Sequence, residues 1–565
     1  MKKLIGLAAV LSACLVLFVS CGGKDDSKKL SPEEQFKKSV SKAFVDNSKL
    51  VAHGLSQIKD TMEFSNFGDE FVISAEVGEP LQTLVNALLS ENYLEYNTQW
   101  LSSVQVTAKA GLTDNEVQVS VKAGLNNTDI VSVNVYEDSK NSTVYFSVPE
   151  LIKNNFKISE QDFGVSVREI MNQYLDQVSF YKNLPEETVF TGFIEEMVNA
   201  FVAPVNQVSR STEELKAGLP GGKIVASNYT VLSTKLNEDV SYRMGEALAN
   251  VVRSSTNFNA LANWFVPILS KAEGYKIRVK DFTEEFAEAI EDVFEDLFYD
   301  SELTLKLYVD PQSNLAGLYL YDEEAAVIAC MPQKGNSFGY CVAVTENPKG
   351  MNIENIYTTA IGVLNGYGSY SGGKMTGDFR IYAEGEEVLD FETKNLDITN
   401  LKSLKPNGTL TIHPKAETRN MVKDAIEDEF YINGSLLSFV DNLDMSLNMT
   451  RKDYNSGNYE IVLNSGNTKF VSLSYKDTVS KPGTIKMPTS DIMALDEDSI
   501  EDYEDILDGI STSTIVANLK KAKVAPEYIE PLESLTGEML GELVGDYIGG
   551  GSSYNYYDDY DYDWW

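Results

Sequence analysis

The chain has 565 residues, 85 acidic against 47 basic side chains for a formal net charge of −38, with 43% hydrophobic and 10% aromatic residues. Such a length allows about two to four domains with sizeable cores. The charge excludes a phosphate-neutralising surface for nucleic acid and disfavours docking on anionic lipid headgroups.

The N-terminus comes first in chain order. Met1-Lys2-Lys3 precedes an apolar run from Leu4 to Val19, broken only by Gly6, Ser12 and Cys14, and Ser20-Cys21 follows. A basic start, an apolar core and a small residue are the parts of a secretory signal. The run is shorter than the about 20 residues a membrane span needs. Phe18-Val19-Ser20-Cys21 resembles the lipobox of bacterial lipoproteins, a family whose consensus prefers Leu where Phe18 stands. Leu11-Ser12-Ala13-Cys14 is a rival match, but it leaves a short apolar core and an apolar stub, Leu15 to Val19, behind the cysteine. The resemblance implies a signal peptide over 1–21, lipid attachment at Cys21 and a stable membrane anchor, because two or more acyl chains hold where one does not. Residues 22–30 then read as a polar tether. Within it Lys24-Asp25-Asp26 resembles the acidic surface-export signal of some Bacteroidota lipoproteins. The expected location is therefore outside the cytoplasm on a bacterial membrane, periplasmic or at the cell surface.

Residues 31–160 read as an N-terminal helix and a β-meander. Ser31-Pro32-Glu33-Glu34 is a capped helix start, and from Glu70 the apolar period becomes two. Val117, Val119 and Val121, then Val131, Val133 and Val135, then Val144, Phe146 and Val148 alternate between Asx-rich turns, as an antiparallel meander requires. Residues 161–300 read as a helical region. The stripes Val167 to Val178, Val240 to Val251, and Phe282 to Leu297 carry the 3.6-residue period. Residues 301–480 read as a second antiparallel β region. Residues 481–548 read as a helical end, with an acidic start at Asp496 to Asp502. Residues 549–565 form a Gly/Tyr/Asp/Trp-rich tail expected to be disordered. Segregated helices and antiparallel strands predict an α+β fold with two or more domains.

Beyond the signal only Cys330 and Cys341 remain. A two-residue turn at Gly335-Asn336 would set them opposite each other, within disulfide reach. An oxidising exterior permits the bond; two free strand cysteines are the alternative. Gly368 to Met375 misses a phosphate-binding loop by one residue, since Met375 replaces the hydroxyl that holds Mg²⁺, and a mobile Gly/Tyr/Ser loop is expected instead. His53 and His413 sit in no nucleophile or metal motif. Glu284, Glu285, Glu288, Glu291, Asp292, Glu295 and Asp296 read as a solvated helix face rather than a Ca²⁺ loop. The tail aromatics Tyr554, Tyr556, Tyr557, Tyr560, Tyr562, Trp564 and Trp565 could grip a sugar or peptide, or be a sticky tail. No catalytic, metal or cofactor set is assigned.

The meanders, flanked by helices behind the lipobox cysteine, resemble uncharacterised extracytoplasmic lipoproteins. More loosely they are similar to the half-barrel periplasmic lipoprotein carriers, in which a curved sheet wraps an apolar cavity. Three functional expectations follow: a non-catalytic binding or interaction protein engaging a surface protein or glycan; a carrier of a lipid or other apolar ligand; and a carboxylate-dependent hydrolase. Paired buried carboxylates at a cavity would favour the hydrolase. A large dry apolar cavity under one sheet would favour the carrier, and a filled core with an exposed aromatic patch would favour the interaction protein.

Overall fold

The computed structural model describes residues 30–61, 67–91, 97–163, 166–171, 183–298, 302–346, 356–430, 434–481, 485–495, 509–535 and 539. The fold is α+β, and almost all strand pairs are antiparallel. The chain divides into two compact units, each made of two stretches: residues 1–63 with 175–472, and residues 64–174 with 473–565.

The first unit opens with the helix Pro32–Thr61. Its start is reciprocally capped: the Ser31 amide donates to Glu34 Oε2 at 2.8 Å, and the Glu34 amide donates to Ser31 Oγ at 3.2 Å, which satisfies two otherwise orphan donors. The strands Ser209–Gly218 and Ile224–Leu236 form a hairpin. This corrects the helical expectation for 161–300. The first strand begins Ser209-Arg210-Ser211-Thr212, a polar exposed run without apolar alternation, while Pro220-Gly221-Gly222 was the turn signal that marks it.

Three helices follow, Glu238–Ser254, Thr256–Glu273 and Val279–Phe298, matching the predicted stripes at 240–251 and 282–297. Asn237 accepts the Val240 amide and Ser255 accepts the Phe258 amide, each at 3.0 Å, so side-chain caps start the first two. The strand Leu303–Val309 then returns to pair with Ile224–Leu236, placing Leu236 opposite Leu303. From there a meander runs through Leu315–Tyr321, Ala326–Cys330, Ser337–Thr345, Gly362–Ser371, Lys374–Ala383, Glu386–Asp397, Asn407–Pro414, Leu443–Thr450 and Ser456–Ser465, each pairing with the next.

This sheet curls. A Cβ on Gly339 would lie 2.0 Å from the Ala217 carbonyl oxygen, so the strand Ser209–Gly218 passes closely over Ser337–Thr345. Inside the curl Leu215, Val231, Ile328, Cys330, Cys341 and Ala343 form one core. Opposite faces of the same strands supply Leu232, Leu307, Phe338 and Tyr340 to a second core, completed by Phe36 and Val40 of the first helix and Val198 and Val202 of Glu187–Val202. Strict two-residue alternation thus feeds two cores at once.

The second unit is a smaller meander, Phe67–Val77, Ser103–Leu112, Glu116–Leu125, Thr128–Asp138, Thr143–Ser147 and Asn155–Ser159. The short strand Ile492–Ala494 adds to its end in parallel, Ile492 opposite Asn155. Ile130 packs under the helices Ser513–Lys521 and Pro526–Glu533 with Val516, Leu519 and Ile529. Trp100 meets Tyr528 edge-on at 5.5 Å. Glu137, only 1% exposed, is held by the Arg168 amide at 2.7 Å and by Ser139 Oγ at 2.5 Å, as a buried carboxylate must be. Ile73, Val106, Val121 and Val133 lie on one sheet face with more than a third of their surface exposed. Among the described residues no helix is long and apolar enough to cross a membrane.

Candidate functional site

The residues singled out from the sequence scatter. Cys21, the acidic start at 496–502 and the tail aromatics at 554–565 lie outside the described residues. His53 is an exposed helix residue with Nδ1 3.4 Å from Glu187 Oε2. His413 sits on a strand with Nδ1 3.1 Å from Asp444 Oδ1 and Nε2 3.8 Å from Glu392 Oε1. Of the acidic helix face, Glu284 and Glu291 both pair with Arg253, at 3.0 and 2.6 Å. Among the described residues no three His, Cys, Asp or Glu side chains converge as a metal site would require.

Cys330 and Cys341 stand directly opposite each other, as the turn at Gly335-Asn336 predicts, and both are free and buried. Their mutual sulfur hydrogen bond, and then burial, push the Cys330 thiol well above its ordinary range, which makes it a poor nucleophile.

Two carboxylates come together in the second unit. Burial, and next the Asp477 charge, hold the Asp69 carboxyl above the usual range. Among the described residues Asp69 Oδ1 is buried without a hydrogen-bond partner. Both cavities described next lie in the first unit, so this pair lines neither.

The stretch Gly368 to Met375 is a hairpin, Gly362–Ser371 turning at Gly372-Gly373 into Lys374–Ala383. This corrects the mobile-loop expectation, and with no helix after the turn it offers no phosphate cradle. Its glycines are what the neighbouring strands need. Gly366 pairs with Phe379 and Gly368 with Phe338. A Cβ on Gly366 would meet the Phe379 ring at 2.3 Å, and one on Gly368 the Phe338 ring at 2.5 Å. Each ring therefore lies over a glycine of the adjacent strand, an arrangement that pins register.

These rings wall an apolar cavity of about 170 Å³. Phe379 stacks on Phe391 at 4.9 Å and meets Tyr340 edge-on at 6.0 Å, while Phe338 lies 4.9 Å from Tyr370. Leu364, Leu410 and Ile398 complete much of the wall. The space is a pocket with an open side rather than a sealed void, and its lining is almost wholly apolar. An apolar cavity of about 150 Å³ stays dry and takes up benzene or xenon. Among the described residues the hydroxyl of Tyr340, a residue 3% exposed, has no hydrogen-bond partner. Burial, and next the two nearby cysteines, push this phenol far above its ordinary range, so it stays a neutral donor.

A second cavity, about 370 Å³ and of mixed polarity, lies at the strand ends. Its floor is the turn between Leu303–Val309 and Leu315–Tyr321. There the Asp310 carboxylate accepts the Gln312 and Asn314 amides at 2.8 Å and Asn314 Nδ2 at 2.7 Å. The Tyr229 hydroxyl accepts the Gln333 amide at 2.9 Å. Met331 belongs to the wall of both cavities. Sequence reading missed this constellation because its members come from strands far apart in the chain. The only local signal was the glycine spacing at 366 and 368. No family model matches this chain, and no curated protein matches it.

Proposed function

We propose that this chain is a lipid-anchored, extracytoplasmic binding protein that performs no chemistry of its own and carries an apolar ligand in the first unit. The observation behind the reading is the apolar cavity of about 170 Å³, walled by stacked rings beneath a curled sheet. An apolar ligand seated there would take the apolar lining out of contact with water. The anchor rests on the lipobox resemblance at Cys21, and the high acidic charge suits a surface that must stay dispersed. A second reading, an interaction protein engaging a surface protein or glycan, draws on the exposed apolar row Ile73, Val106, Val121 and Val133. The hydrolase reading has only the Asp69 and Asp477 pair.

Native mass spectrometry of the purified protein tests the carrier reading. A reproducible extra mass, lost on organic extraction and identified as lipid, supports it. Saturating benzene should also raise the midpoint of thermal unfolding, by linkage, and Leu364→Phe, which fills the cavity, should abolish that rise. A bare polypeptide mass together with an unmoved midpoint in benzene overturns it.

A further inference from the structure

The two cavities of the first unit meet at one side chain. Met331 walls both, is itself buried, and accepts a weak hydrogen bond from the Tyr370 hydroxyl at 3.7 Å from its sulfur. A methionine is the side chain best suited to yield there, being unbranched, polarizable and free about three bonds. On the far side, the mixed cavity reaches the surface between the exposed residues Asn228, Gln333 and Gly335. Among its lining is Asn314, 7% exposed, whose Nδ2 donates to Asp310 while, among the described residues, its Oδ1 has no partner. That atom is an acceptor in want of a donor. Among the described residues no Lys or Arg lines this cavity, and the charge they bring to it is the Asp310 carboxylate.

From this juxtaposition we propose that the ligand is a single-chain amphiphile, its apolar chain lying in the ring-walled cavity and its head, a hydroxyl or ammonium bearing no negative charge, seated against Asn314 in the mixed cavity, with Met331 turned aside to let the chain pass. The proposal rests on the carrier reading and narrows it to a ligand class. An anionic head is disfavoured twice: it offers Asn314 Oδ1 no proton, and it faces Asp310 without a compensating cation.

Calorimetric titration with octan-1-ol, octylammonium, octanoate and benzene tests it. Octan-1-ol and octylammonium should bind about tenfold or more tighter than octanoate, as one hydrogen bond to a buried acceptor is worth. Asn314→Leu should weaken octan-1-ol about tenfold and leave benzene unchanged. Met331→Trp, which stiffens and closes the passage, should weaken octan-1-ol by more than it weakens benzene, and it leaves the Asp310 turn intact should Asn314→Leu fail to fold. Benzene binding with no preference among the three heads overturns this inference and leaves the carrier reading standing. Octan-1-ol affinity indifferent to Met331→Trp overturns it as well. Failure of benzene and all three amphiphiles to bind overturns the carrier reading itself.

Discussion

Tyr340→Phe should stabilise the protein. The side chain lies on the strand Ser337–Thr345, is 3% exposed, and keeps its ring edge-on to Phe379 at 6.0 Å while its hydroxyl finds no partner among the described residues. Removing the oxygen preserves the ring contacts and relieves a buried, unpaired polar group that costs about 1–3 kcal/mol. The expected gain is therefore about 1–2 kcal/mol, or about 2–4 °C in the unfolding midpoint of a unit this large. The assay is urea unfolding followed by tryptophan fluorescence. Alkali supplies an independent check. Burial raises the folded-state pKa of Tyr340 above its unfolded value, so the associated stability is full below about pH 10 and is lost as the pH rises above it. Tyr319, pushed up to about 12 by burial and then by Tyr321, adds to the same alkaline loss. The Phe variant should lose less stability than the wild type between about pH 9.5 and 11. A loss of more than about 1 kcal/mol at neutral pH would refute the reasoning, because it would mean that the hydroxyl has a bound partner.

Gly339→Ala should cost more than about 3 kcal/mol, because the new Cβ would lie 2.0 Å from the Ala217 carbonyl oxygen and backbone would have to move. An unchanged denaturation midpoint would sink the account of the curled sheet. Asp69→Asn should stabilise the second unit at about pH 7. The raised folded-state pKa means that the stability of the carboxyl is present below its unfolded value and lost as pH rises; the variant's advantage should vanish below about pH 4, as paired urea titrations would show. Export of the chain should oxidise Cys330 and Cys341, which face each other in register. The intact mass of the secreted protein should then be two hydrogens below that of the reduced one, and equal masses would mean that the pair stays free.

The extended run Thr128–Asp138 shows why much of the fold was legible. Val131, Val133 and Val135 alternate with polar residues, and Val121 and Val133 pair directly across the ladder, because side chains on one face of a strand recur every second residue; these valines form the more exposed face, while Ile130 and Ser132 are buried. The helix at Pro32 was equally plain, since its capping box is a local hydrogen-bond pattern. The strand Gly362–Ser371 was not legible. Gly366 and Gly368 are poor strand formers taken alone, and only the rings of Phe379 and Phe338 from neighbouring strands explain their presence.

By itself the sequence determined the α+β class, the positions of most strands, the first helix cap and the register that sets Cys330 against Cys341. All of these depend on interactions between residues close in the chain, or on a period that repeats along it. Tertiary structure alone decided that Leu236 pairs with Leu303 across three intervening helices, that the first helix belongs with residues 175–472, and that Phe338, Phe379, Phe391 and Ile398 line one pocket. Those outcomes depend on how faces of separate elements fit together in space, and hydrophobic burial is non-directional. A sequence marks which residues seek burial without stating which partners they find.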